Sequence, residues 1–407
     1  MKNLSIFVIV LLSVACSRGH DEVVVNMDTP QTTKISKEQA LKNLYGELKI
    51  IDGATRSDGS SRSVKSIKEL KGAVTRSGDA LANDLLYIVE FEEGQGSAVV
   101  AADARLDPVI AVLDSSVITE EDFSSTNTED IGVYMASMIS DYAASVTSSE
   151  GPYPFLPAPD PGGADTTFIY DIYPLLKTKW HQDSPFNDKC VEVYGENAVA
   201  GCAPIALAQF IYYTFPNVAM MINNTLFVPS SLRSLEFGVL PTQHAENMAA
   251  KFLYAIGAEV DAEYDNNSTS VDPDDAVSFL RSQISSMSSA SRVSYNSSTV
   301  FSKLYSDKVI IMFGWTSANE GHAWILDGGY HYIVNGTKFT YDGTEDVTIV
   351  CKKVHCNYGW EGACDGYYVE GMFDTTETNY DREFAIGDVF TTNGQYNYTN
   401  NLQIVNY

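Results

Sequence analysis

The chain has 407 residues, 44% of them hydrophobic, so it can fill the cores of two domains and is not disordered throughout. Its formal net charge is -27 at pH 7. A surface this acidic repels phosphate groups, which argues against nucleic acid and against anionic lipid surfaces as partners.

The first 16 residues have the pattern of an export signal. Lys2 is followed by the apolar run from Leu4 to Leu12 and then by the small residues 13–15 before Cys16. The run is too short to span a bilayer, and small residues before a cysteine are typical of bacterial lipoproteins, so we expect Cys16 to be lipidated after cleavage. An ordinary signal peptide is the alternative. Both interpretations predict an exported protein, lipid-anchored in the cell envelope or secreted, with no other membrane contact.

Region 17–147 is predicted to form a small α+β domain with no chemistry of its own. Ser36 and Gln39 have the spacing of a capping box ahead of a helix from about 37 to 50. Three strands and an amphipathic helix are predicted after it, at 85–91, 97–101, 108–113 and 131–146.

Residues 148–167 have the composition of a linker. Prolines recur at 152, 154, 157, 159 and 161, and Gly162-Gly163 follows. Proline removes backbone donors and glycine loosens the chain, so this segment is also a predicted site of activating cleavage. Every tryptophan, and every histidine except His20, comes after residue 167. The chemistry is therefore expected in a second domain at 168–407.

Cys202 is predicted to be the first residue of a helix. Gly201 turns the chain, Pro204 fits the first turn of a helix, and Pro216 lies just past its end. The unpaired amides and the positive end of the dipole at a helix N-terminus favour a thiolate. Cys202 is therefore a candidate nucleophile, with a buried structural cysteine as the alternative.

A thiolate nucleophile needs an imidazole presented by another element. Segments 308–316 and 322–327 are predicted to be buried strands joined by a turn, with His322, Trp324 and Leu326 on one face. His322 is therefore a candidate base, with a simple hydrogen-bonding role as the alternative. His181 and His355, which lie near other candidate residues, are the other histidines that could serve.

The sheet is predicted to continue through a hairpin at Asn335-Gly336, between strands 330–334 and 337–341, and through a strand at 347–354. Asn357 then follows. Its amide could fix the tautomer of the imidazole, or it could form a simple turn with the nearby glycines.

The remaining cysteines allow two other interpretations. An oxidising compartment favours disulfides, but the sequence indicates no pairing among Cys190, Cys351, Cys356 and Cys364. A structural zinc site at Cys351, His355, Cys356 and Cys364 is the other interpretation, although this spacing is not a familiar zinc pattern.

Four blocks of the chain, at 180–187, 200–216, 321–328 and 355–368, resemble in order and spacing the blocks of the streptopain family of cysteine peptidases. Segment 252–270 is similar to a further stretch of that family, and the N-terminal unit resembles its inhibitory pro-segment. Tyr358 departs from the pattern, because the family usually has tryptophan there, and the insert at 329–353 is longer than usual.

The resemblance implies an α+β, papain-like fold, with Cys on a helix and His on an antiparallel sheet, preceded by a small α+β pro-domain. It implies that Cys202 attacks the scissile carbonyl and that His322 transfers the proton. It also implies that Gln182 contributes to the oxyanion hole, that Asn357 orients His322, and that Trp360 packs beside it. No cofactor or metal is expected.

Two functions follow from this resemblance. The first is an endopeptidase made as a zymogen, with proteins or peptides as substrates and its own pro-domain as inhibitor. The second is a surface-binding protein that has kept the fold and lost catalysis.

Overall fold

The computed structural model describes residues 33–55, 62–75, 77–127, 130–147, 166–315, 321–340, 343–373 and 403–407. The predicted signal with Cys16, and residues 148–165 of the predicted linker, lie outside the described residues. Residues 33–407 belong to one compact unit. Among the described helices, none is long and apolar enough to cross a membrane.

The described residues form seven α-helices, numbered in chain order. They are α1 Lys37–Thr55, α2 Glu120–Ser124, α3 Ile131–Thr147, α4 Cys202–Thr214, α5 Gln243–Glu259, α6 Pro273–Gln283 and α7 Ser297–Tyr305.

The strands are numbered in the same way. They are β1 Val64–Glu69, β2 Leu86–Phe91, β3 Ser97–Ala101, β4 Val109–Leu113, β5 Thr166–Ile172, β6 Glu192–Val193, β7 Glu196–Asn197, β8 Met220–Ile222, β9 Thr225–Phe227, β10 Ser291–Ser294, β11 Ile310–Trp315, β12 Gly321–Thr340, β13 Gly343–Asn357, β14 Gly366–Val369 and β15 Gln403–Asn406.

The elements predicted in the N-terminal region (residues 33–147) are present within a few residues of their predicted bounds. At the start of α1 the amide of Gln39 donates to Ser36 Oγ at 3.2 Å, as the capping box predicts. The Gln39 side chain does not complete the box, because it donates to Asn43 Oδ1 instead.

Eleven strands form a single sheet that joins the N-terminal region to the C-terminal region (residues 166–407). Its order is β1-β2-β3-β4-β14-β13-β12-β11-β15-β10. Strand β5 pairs with a later part of β12 than the part that pairs with β11. The two regions meet where β4 pairs antiparallel with β14, with Val112 opposite Tyr367. At the other end, β15 pairs with both β11 and β10.

The middle of this sheet is buried on both faces. Trp324 and Leu326 of β12 lie in a core shared with the N-terminal region, whereas Ala323 and Ile325 lie in a second core that contains helix α4. This alternation confirms the predicted strand and its faces. Helix α4 therefore packs on the side of the sheet opposite the N-terminal region.

The hairpin predicted at Asn335-Gly336 is wrong. Strand β12 runs without a break from Gly321 to Thr340, and Asn335 and Gly336 pair with Thr348 and Val347 of β13. The pairing of β12 with β13 continues as far as Thr340 and Gly343. An Asn-Gly dipeptide favours a turn only locally, and here the long pairing with β13 outweighs that preference.

Candidate active site

Cys202 is the first residue of helix α4, as predicted. Gly201 before it has φ 92°, a left-handed conformation that glycine adopts without steric cost, and a Cβ there would lie 3.0 Å from the side chain of Thr269. Gly201 thus allows the chain to turn sharply into the helix and leaves the thiol at its N-terminus.

The thiol is partly buried and packs with the core on the α4 side of the sheet. Burial raises the pKa of Cys202 above its ordinary value, although the nearby backbone amides of Ala323 and Ala203 act to lower it. The Cys202 side chain is therefore favoured as the neutral thiol at pH 7.

His322 stands near the beginning of β12, in the strand pair predicted for it. Its ring lies between aromatic rings, with ring centroids 6.0 Å from Trp324 and 6.0 Å from Tyr358. A third ring comes from helix α3 of the N-terminal region, where Tyr134 lies 5.7 Å away. Burial lowers the pKa of His322 to about 4, so the imidazole is neutral at pH 7.

The Cys202 thiol lies at the backbone amide of Ala323, the residue after His322. The sulfur packs with the α4 core beside Ala323, whereas the ring contacts of His322 are on the other face of the sheet. In the described part of the chain no hydrogen bond joins the two side chains.

The hydrogen-bond partner of His322 is a main-chain carbonyl. Its Nε2 lies 3.2 Å from the carbonyl oxygen of Tyr358. This bond leaves Nδ1 as the nitrogen that can accept a proton.

Asn357, the predicted orienter, is buried, and both ends of its amide are hydrogen-bonded. Its Oδ1 accepts from Gln209 Nε2 at 3.0 Å and from the Gly359 amide at 3.3 Å, and its Nδ2 donates to the Thr178 carbonyl at 2.9 Å. Asn357 thus holds the turn that carries the Tyr358 carbonyl, while that carbonyl bonds the ring.

Gln182 and Trp360 are the two other residues predicted for the site. Gln182 is buried, and its carbonyl accepts from the Ala200 amide at 2.9 Å, two residues before Cys202. Trp360 is partly buried against the core shared with the N-terminal region. Among the described residues, the aromatic contacts of His322 come from Tyr134, Trp324 and Tyr358, so packing by Trp360 stays a prediction.

Among the described residues, the remaining cysteines and His355 form neither a disulfide nor a zinc site. Cys190, Cys351, Cys356 and Cys364 are free thiols, and no group of metal-binding side chains is found within the described ranges. His355 is buried between two carboxylates, 2.6 Å from Asp327 and 3.2 Å from Asp114 of the N-terminal region.

Several residues that shape the site carry no motif of their own in the sequence. The carbonyl of Tyr358 belongs to the main chain, and Tyr134 comes from the other region of the molecule. Gln209 did carry a signal, because it is a single amide inside an apolar helix and must find buried partners.

Residues 180–368 match the model of the Peptidase C10 family. A fragment of prointerpain A from Prevotella intermedia is similar in structure, with a TM-score of 0.53 and 18% identity, covering 84% of this chain and 98% of that chain. Active wild-type interpain A cysteine protease from the same organism has a TM-score of 0.40 and 20% identity, covering 61% of this chain and 97% of that chain. A search of the curated proteins finds no match.

The matched segment contains Cys202, His322 and Asn357 together with the helix and strands that carry them. Its fold is the papain-like α+β arrangement expected from the sequence. Residues 180–368 are thus similar to the Peptidase C10 family, the streptopain family of cysteine-type peptidases.

Proposed function

We propose that this protein is an endopeptidase made as an inactive precursor, with Cys202 as nucleophile and His322 as general base. The observation that carries the proposal is the placing of Cys202 at the N-terminus of α4, beside the β12 residue that follows His322. Helix dipole and amides stabilise a thiolate there once the site is open to water.

The proposed reaction uses the side chains of Cys202 and His322 in two stages. The Cys202 sulfur attacks the scissile carbonyl carbon, and His322, which has taken the thiol proton, returns it to the leaving amine. Water then attacks the acyl-enzyme, His322 accepts a proton from it, and the sulfur leaves the acyl carbon.

The developing oxyanion needs donors that are already in place. The amide of Cys202 and the side chain of Gln182 are the groups that we propose for this role. One such donor typically contributes about 2.7 to 4 kcal/mol to transition-state stabilisation.

The N-terminal region is proposed to act as the inhibitory pro-domain. Tyr134 covers His322, and burial keeps His322 neutral and Cys202 protonated, so the ion pair needed for attack is absent. Cleavage in or near 148–167 would allow this region to leave, after which the imidazole can turn toward the sulfur.

Replacing Tyr134 tests this latency. Tyr134→Ala in the uncleaved chain should let Cys202 react faster with iodoacetamide, because water and reagent gain access to the pair. Tyr142→Ala on the same helix is the control, since Tyr142 donates to Asp107 away from His322. Equal alkylation rates for the two variants would show that Tyr134 does not cover the site.

We also propose that the protein is exported and anchored through a lipid on Cys16, or secreted. The support is the sequence pattern of residues 1–16. Incorporation of labelled palmitate that is lost in Cys16→Ala would support the anchor, and equal incorporation would contradict it.

The central experiment compares casein hydrolysis by the linker-cleaved chain with and without a reducing agent, beside Cys202→Ala. We expect thiol-dependent hydrolysis that disappears in the variant. A cleaved, folded and reduced protein that hydrolyses nothing would contradict the proposed activity and favour the alternative of a surface-binding protein.

A further inference from the structure

Gln209 is a polar residue in an otherwise apolar part of helix α4. It lies two turns after Cys202, is fully buried, and has Ala208 and Phe210 as equally buried neighbours. An amide in such a place lowers stability unless both of its ends are paired. Both ends of the Gln209 amide therefore need buried hydrogen-bond partners.

Both ends of the Gln209 amide are paired with the other side of the site. Its Oε1 accepts from Thr178 Oγ1 at 2.6 Å, and its Nε2 donates to Asn357 Oδ1 at 3.0 Å. Asn357 in turn donates to the Thr178 carbonyl at 2.9 Å. The three residues form a closed, buried network between α4, the end of β13 and the segment before Trp180.

This network holds residues 357–359, which we call the acceptor turn. The turn carries both candidate acceptors for the His322 ring, the Asn357 side chain and the Tyr358 carbonyl. Gly359 has φ 71°, and a Cβ there would lie 2.7 Å from Ile205 Cγ2 of helix α4. The acceptor turn is therefore seated directly on the helix that begins with Cys202.

We propose that Gln209 is a positioning residue, which locks the acceptor turn to the Cys202 helix and so sets where the His322 imidazole is held relative to the sulfur. The inference rests on the proposed peptidase activity. Gln209 itself is buried too deeply to touch substrate. Its effect reaches the reaction only through Asn357, Tyr358 and His322.

The physical reason is that proton transfer is efficient only over a narrow range of distances between the two reacting groups. Without the Gln209 amide, Asn357 Oδ1 loses a donor and can turn, and the Tyr358 carbonyl can shift with it. A displacement of about 1 Å between reacting groups can lower a rate roughly 100-fold. Gln209 is fully buried and does not face solvent, so we expect substrate binding to change little.

Two substitutions at Gln209 separate hydrogen bonding from packing. Gln209→Met keeps the approximate volume and removes both hydrogen bonds. Gln209→Glu keeps the shape but presents an oxygen, instead of an N–H donor, to Asn357 Oδ1. Thr178→Val is a milder third variant that removes only the hydroxyl donor, and it serves if either change at Gln209 prevents folding.

The matched control is another fully buried residue of the same helix, Ile211, which packs in the α4 core. Ile211→Val or Ile211→Ala is chosen to give the same loss in Tm as the Gln209 variants. The linker-cleaved chain is used throughout, with kcat and KM measured on a peptide and the pH profile of kcat/KM recorded. The pH dependence of Cys202 alkylation by iodoacetamide gives a readout that does not need turnover.

We expect Gln209→Met and Gln209→Glu to lower kcat roughly 10- to 100-fold with KM within about twofold, and to shift the pH profiles of hydrolysis and of alkylation. Thr178→Val should show a smaller change in the same direction. The Ile211 control should retain its kcat and its profiles.

The proposal is overturned if the Gln209 variants lose stability but keep kcat and both pH profiles. If the wild-type chain and these variants hydrolyse casein equally well, the positioning role of Gln209 is contradicted and the proposed peptidase activity stands. A wild-type chain that is itself inert would remove the proposed activity and this inference with it.

Discussion

Asp365 is a buried acid beside the acceptor turn. Its Oδ1 accepts from the Tyr358 amide at 2.9 Å, and it lies close to the charges of His355, Asp114 and Asp327. Burial raises the pKa of Asp365 from 3.8 to about 7, with repulsion from the two aspartates acting in the same direction. The ionised form is therefore disfavoured in the folded protein.

The stability consequence has a definite sign. A carboxyl group with a raised folded-state pKa holds its proton more tightly when folded, so its unfavourable effect grows as pH rises from about 4 to about 7 and is constant above that. Asp365→Asn keeps an acceptor for the Tyr358 amide and removes the charge. We expect its Tm at pH 8 to exceed that of the wild type by at least about 2 °C.

The check is a series of melting curves between pH 4 and pH 8. The difference between Asp365→Asn and the wild type should shrink as pH falls, because the wild-type carboxyl becomes neutral. A difference that is independent of pH, or a variant less stable at pH 8, would contradict this account.

At the same scale, Cys202 and His322 could be located from sequence because local chemistry marks them. Glycine before a cysteine and proline two residues after it specify a helix start, and strand periodicity gives the face of His322. The neighbours of the ring could not be found in this way. Tyr134 is over 180 residues from His322 in sequence, and a main-chain carbonyl such as that of Tyr358 has no signature.

At the scale of elements, one buried carboxylate of helix α1 links that helix to strands β12 and β13. Glu47 accepts hydrogen bonds from the hydroxyls of Tyr330 and Tyr332 and lies 3.6 Å from the ammonium of Lys353. Glu47 and Lys353 are both buried, so little solvent screens the pair. This cluster fastens the N-terminal region to β12 and β13.

Glu47→Gln should weaken that attachment. Glutamine keeps one acceptor oxygen for the tyrosines and presents an NH2 donor in place of the other. The buried ammonium of Lys353 also loses its counter-charge, which typically costs about 3 to 5 kcal/mol. We expect the precursor to melt at a lower temperature and to become active sooner after linker cleavage. Glu38→Gln, at the exposed start of the same helix, is the control and should change neither property.

Among the elements, the length of a strand is the property that the sequence predicted wrongly. The bounds of β2, β3 and α4 follow from patterns within each segment, and they agree with the structure. The length of β12 does not, because it depends on the pairing with β13 and β5. A turn dipeptide inside a strand is overridden when the partner strand continues past it.

At the scale of the whole molecule, the N-terminal region is part of the peptidase sheet. Gly366 of β14 pairs with Leu113 of β4, and a Cβ at Gly366 would collide with the carbonyl oxygen of Val112. Each of the nearest atoms belongs to β4. A side chain at Gly366 would therefore obstruct the N-terminal region specifically.

Gly366→Ala should consequently release the N-terminal region more easily after linker cleavage. We expect the two fragments to separate on gel filtration at lower urea concentration than in the wild type, with the casein-hydrolysing activity of the separated peptidase unchanged. Fragments that stay associated to the same urea concentration as the wild type would show that β4 adapts to the added methyl group.

Strand β15 has a consequence for the time at which this sheet can form. Met312 of β11 pairs with Ile404, and Ser291 of β10 pairs with Asn406, so residues 403–406 join two strands that precede them by about a hundred positions. Such distant pairings make folding slow. On a ribosome, the far end of the sheet cannot close until residues 403–406 have emerged, so Cys202 and His322 leave the ribosome well before the sheet around them is complete.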